Sequence, residues 1–78
     1  MDQYIILTKL DRNTSYWHLV DNCVRYGVRD AKKSLESYRD ANPSGVFRSI
    51  LVGFFIEKMQ IVNGNFVIDL RDLIKEAV

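Results

Sequence analysis

The chain has 78 residues, 47% of them apolar, and a formal net charge of +1 at pH 7. That length suits one compact domain spanning residues 1–78, and the near-neutral balance argues neither for a wholesale nucleic-acid binder nor for an acidic DNA mimic. Cys23 is the only cysteine, which excludes an internal disulfide and a cysteine-based metal cluster and fits a reducing, cytoplasmic setting.

The N-terminus, Met1-Asp2-Gln3-Tyr4, has no positively charged leader region, so no signal peptide is expected. Tyr4–Leu10 is rich in β-branched and aromatic residues and predicts a first strand. Both of its faces are apolar, as in a strand buried on both sides. Asp11-Arg12-Asn13-Thr14 reads as a polar turn. Tyr16–Val20 then reads as a second strand, with Tyr16, His18 and Val20 on one face and Trp17 and Leu19 on the other. The two strands make a hairpin. The rival reading is a helix over Ser15–Tyr26, ended by Gly27; the crowding of aromatics favours the hairpin.

The central element is an amphipathic helix. Val24, Val28, Ala31, Leu35 and Tyr38 recur at helical spacing. Asp21 or Asn22 can cap its start, which leaves Gly27 inside the helix at a cost of about 1 kcal/mol. The alternative start is Asp30, with Gly27 in the preceding loop. Asn42-Pro43-Ser44-Gly45 stops the helix, because proline cannot continue the hydrogen-bond ladder.

Val46–Val62 fits two patterns. Phe47, Ile50, Leu51, Phe54 and Phe55 have helical spacing, while the density of Val, Ile and Phe suits strands. The β-branched and aromatic content favours strands at Val46–Val52 and Phe54–Val62, separated at Gly53, with the first paired to the N-terminal hairpin. The run Ile50–Ile56 is far short of the roughly 20 residues of a membrane span, so no membrane partner is expected. Asn63-Gly64, between two β-rich runs, is the signature of a tight type I′ hairpin. Asp69 is expected to cap a terminal helix over Leu70–Ala77, with Asp72 in its first turn.

The resulting class is α+β: a small antiparallel sheet of about four to five strands, a central amphipathic helix and a short C-terminal helix. The expected order is β-β-α-β-β-β-α, with the helices on one face. The alternative is a mainly helical fold with one hairpin.

No motif specifies a reaction. His18 and Cys23 are the only soft catalytic candidates, and nothing in the sequence brings them within hydrogen-bond reach. They read as a structural or exposed histidine and a small core cysteine. Asp69 and Asp72 read as caps rather than a cation site, and the glycines are too scattered for a phosphate loop. The chain is therefore read as a non-enzyme without cofactor or metal; an enzyme whose site is shared between subunits ranks last.

One asymmetry remains. Arg25, Arg29, Lys32 and Arg39 follow a stripe beside the apolar one, with Lys33 nearby and Glu36 interrupting it. Such a face can be merely solvated, meet an acidic protein or bind phosphates. Tyr16 and Trp17 are candidate exposed anchors, because aromatics and Arg dominate binding hot spots. Phe54, Phe55 and Phe66 read as core. The expected function is a small protein-interaction domain, such as an inhibitor or regulator of the kind that phages and mobile elements encode. It would dock through an Arg/aromatic surface or a sheet edge, or form a homodimer. Sequence-nonspecific nucleic-acid binding through the basic helix face is the alternative.

Overall fold

In the computed structural model, which describes residues 2–9 and 15–69, the first strand runs over Gln3–Lys9 (β1). Tyr4, Ile5, Ile6 and Leu7 are all buried, so the unbroken apolar run is explained by cover on both faces. β1 pairs antiparallel with Tyr16–Leu19 (β2), matching Leu7 with Leu19, which is the expected hairpin. Farther along the same edge it pairs with Arg25–Tyr26 (β3), matching Tyr4 with Arg25. Its opposite edge takes Phe47–Leu51 (β4), from Tyr4↔Leu51 to Thr8↔Phe47. The strand expected at Val46–Val52 therefore forms, and it pairs with the N-terminal hairpin.

Between β2 and β3 the chain leaves the ladder, and the register of β3 lags that of β2 by three residues. Gly27 then turns the chain into the central helix, Val28–Ala41 (α1). Its φ of 91° and ψ of 160° form a combination that essentially only glycine adopts. This corrects the expected start at Asp21 or Asn22: the helix begins after Gly27, because no helix can run through that conformation. Gly27 N–H donates to the Asp2 carbonyl (2.8 Å), which anchors the turn to the sheet. Gly27→Ala is expected to cost about 1–3 kcal/mol. Thermal unfolding reads this out, and an unchanged Tm would mean that the backbone relaxes there. At the other end, Asn42 N–H donates to Tyr38 C=O, and Pro43 follows, so the stop falls where the sequence places it.

After β4 the expected second strand, Phe54–Val62, does not form. Val52–Lys58 is a short helix (α2), and only Gln60–Val62 is extended (β5). Val52, Phe55 and Ile56 have both β propensity and helical spacing. The sheet face decides between them, because it carries Ile5, Leu7, Trp17, Ile50 and Ile68, and α2 lays Phe55 into that cluster. Asn63 (φ 52°) and Gly64 (φ 81°) both have positive φ, as the type I′ turn requires. They join β5 to Asn65–Asp69 (β6), with Val62 opposite Asn65.

The fold is α+β. Among the described residues six strands form one antiparallel sheet, in the order β4, β1, β2 with β3 in line, β6 and β5. The alternation of side chains assigns the two faces. Ile5, Leu7, Trp17, Ile50 and Ile68 share the α2 face. Tyr4, Arg25, Phe47 and Ser49 share the other, where α1 packs. The two helices thus lie on opposite faces, not on one as expected. The expected helix Leu70–Ala77 and the turn Asp11–Thr14 lie outside the described residues.

Candidate docking surface at the β4 edge

Arg25 does not extend the basic stripe. It lies on β3, 9% exposed. Its guanidinium makes a two-pronged contact with Asp21, Nη1 to Oδ1 and Nη2 to Oδ2, each 2.7 Å. Nη1 also donates to the Cys23 carbonyl (2.9 Å), and Nε donates to Ser34 Oγ on α1 (3.0 Å). Asp21 accepts two further bonds, from Cys23 N–H (3.0 Å) and from the Tyr38 hydroxyl. The Arg25 fork, helped by Tyr38 and the Cys23 amide and opposed by partial burial, holds the Asp21 carboxyl well below the usual carboxylate range. The same contact pushes Arg25 up, and donation to Asp21 pushes the Tyr38 hydroxyl up. Tyr38 in turn stacks on Phe47 of β4 (centroids 5.5 Å). This cluster pins the excursion between β2 and β3, α1 and β4 to one another. Its sequence signal was the four-residue spacing of Asp21 and Arg25, which the reading of Asp21 as a helix cap concealed.

Arg29, Lys32 and Arg39 do lie exposed on α1, with Lys33 and Glu36. Lys32, Glu36 and Arg39 rim a groove of about 360 Å³ whose walls include Tyr4, Leu35 and Ser49. The groove runs between α1 and β4, and β4 is an edge strand: among the described residues no strand pairs with its outer side. Lys9 N–H donates to the Val46 carbonyl (3.3 Å). Ladder alternation then turns the backbone groups of Phe47 and Ser49 and the N–H of Leu51 outward, while the Leu51 carbonyl, at the N-cap of α2, accepts the first bond of that helix. Arg39 Nη2 donates to the Phe47 carbonyl (3.2 Å), which covers that end of the edge. Ser49 and the Leu51 N–H remain open to a partner. The sequence reading missed both, because edge position is not a property of local sequence.

The other candidates fall elsewhere. Trp17, expected as an exposed anchor, is 2% exposed. It packs in the α2-side core with the Arg48 guanidinium over its ring (5.6 Å), because its place opposite Ile68 points it into that layer. Tyr16, on the opposite face of β2, is half-buried. Cys23, expected in the core, is exposed in the excursion. Phe55 is buried and Phe54 packs against the core as expected, but Phe66 is half exposed. Among the described residues no group of three or more His, Cys, Asp or Glu could hold a metal ion, and no helix is long and apolar enough to cross a membrane.

No family model, curated protein or solved structure matches the chain.

Proposed function

We propose that this chain is a protein-interaction domain that takes an extended segment of another protein as an added strand along β4. The observation that carries the reading is the open backbone of Ser49 and the open N–H of Leu51 beside a groove rimmed by Lys32 and Arg39. Main-chain hydrogen bonds supply affinity in strand addition, and alternate side chains supply specificity. One face of the added strand would lie along the groove. Two cations against the single carboxylate of Glu36 favour a segment in which acidic residues alternate with apolar ones. The cluster around Arg25 supports this role by holding α1 at a set height over β4.

The test is an NMR titration with a short synthetic peptide of alternating apolar and acidic residues. The amides of Ser49 and Leu51 should shift. Ser49→Pro removes the outward N–H without breaking a ladder bond, since edge strands tolerate proline, and should weaken binding by about tenfold or more. Unperturbed Ser49 and Leu51 amides would end this reading. The nucleic-acid alternative is separated by a salt titration against mixed-sequence DNA and RNA. Tight binding whose salt slope falls by about two phosphate contacts in Arg29→Gln/Lys32→Gln would move the function to the α1 face.

A further inference from the structure

We propose that the segment taken up along β4 is selected by charge order: its side chains that face α1 are acidic, basic and acidic in turn, meeting Lys32, Glu36 and Arg39. The inference rests on the strand-addition reading and states which segment that edge accepts. Position comes first. Gly27 N–H donates to the Asp2 carbonyl, just before the Tyr4 that pairs with Leu51, so α1 starts beside the Leu51 end of β4. It ends beside Phe47, where Arg39 donates to the Phe47 carbonyl and Tyr38 stacks on the ring. The rim of the groove therefore presents Lys32, Glu36 and Arg39 in that order from Leu51 to Phe47.

Three observations select the segment. The first is spacing. Along α1 the steps from Lys32 to Glu36 and from Glu36 to Arg39 rise about 6 Å and about 4.5 Å. Alternate residues of a strand lie about 6.6 Å apart. Residues of an added strand opposite Leu51, Ser49 and Phe47 carry their side chains on the α1 face, as those three do. Each of them thus lies within reach of one rim charge. The second is the backbone. The Phe47 carbonyl is taken by Arg39 and the Leu51 carbonyl by α2. Along Phe47–Leu51, Ser49 alone offers both N–H and C=O outward, which centres the added strand there and sets its middle groove-facing residue against Glu36. The third is charge. Lys32, Glu36 and Arg39 are all exposed, and among the described residues no ion pair joins them. A positive, negative, positive rim attracts the acidic, basic, acidic order and repels a segment with its acid at the centre. The order is the same from either end, so it selects the sequence without fixing the direction of the chain.

The test titrates two end-blocked peptides of one composition, Thr-Glu-Val-Lys-Val-Glu-Thr and Thr-Lys-Val-Glu-Val-Glu-Thr, into the intact chain at low salt, with the amides followed by NMR. Equal composition removes any effect of net charge. The first peptide should bind about tenfold tighter, the order expected when two attractive rim pairs become repulsive. Glu36→Lys makes the rim uniformly positive and should bring the two peptides within about twofold of each other. Glu36→Gln, which keeps the shape of the side chain, should reduce the preference to about threefold and serves should Glu36→Lys fail to fold. Shifts at Ser49 and Leu51 with equal affinity for both peptides would leave strand addition standing and overturn the charge order. So would a tenfold preference that survives both Glu36 variants. Unperturbed Ser49 and Leu51 amides with both peptides would overturn strand addition itself, and this inference with it.

Discussion

Asp21→Asn is expected to lower the stability of this fold by about 2–4 kcal/mol. Breaking a buried ion pair from one side leaves the other charge without its partner, at about 3–5 kcal/mol when burial is complete. Here the side chains of Arg25 and Asp21 retain 11% and 23% exposure, so solvent reduces the penalty. The asparagine can still accept from the Cys23 amide but cannot answer the Arg25 fork. For a domain of this size the loss corresponds to a fall in Tm of roughly 10–25 °C. Arg25→Lys should cost nearly as much, because an ammonium cannot reproduce the two parallel bonds to Asp21 or the Nε bond to Ser34.

The same cluster sets a pH window. The pKa of Asp21 is lowered in the folded state, so its contribution is complete above the unfolded carboxylate value of about 3.9. That contribution is withdrawn as the pH falls below it, towards the folded value. The pKa of Tyr38 is raised, so its contribution is complete below the unfolded phenol value of about 10 and is withdrawn as the pH rises through the folded value. Urea unfolding of parent and Asp21→Asn across pH should show the gap between them shrinking on the acid side. A gap that stays constant down to about pH 2 would mean that the Asp21 carboxylate is not what the variant removes.

Leu7→Ala should have an effect at least as large, about 3–5 kcal/mol. Leu7 is fully buried on the central strand, in the layer closed by Phe55 of α2. The cost is the lost transfer energy of the removed carbons plus that of the cavity left where the surroundings relax only in part. Against a total stability of about 4–12 kcal/mol for a chain of this length, that loss is enough to populate the unfolded state at moderate temperature. Ile6→Ala empties the opposite layer, beneath α1, and should cost about 2–4 kcal/mol. Denaturant midpoints for the two variants compare the layers directly. A cost under about 1 kcal/mol at Leu7 would show that α2 does not pack on the sheet.

The sequence by itself determined those features whose cause lies within a few residues. Asn63-Gly64 specifies its turn because both positions need positive φ, which these residues tolerate best. The apolar run of β1 specifies a strand covered on both faces, and Asn42-Pro43 ends α1 through the missing N–H of proline. The rest depended on what each segment meets after folding. Val52–Lys58 satisfies helical spacing and strand propensity alike, and it became helical because Ile5, Leu7, Ile50 and Ile68 presented a face to be covered. Arg25 has the spacing of Arg29, Lys32 and Arg39, yet the backbone angles of Gly27 take it off the helix and give its charge to Asp21. Trp17 was drawn inward by its pairing opposite Ile68. The open backbone of Ser49 is decided by topology alone. Any strand carries outward groups, and only the order of strands in the sheet determines which of them are left at an edge.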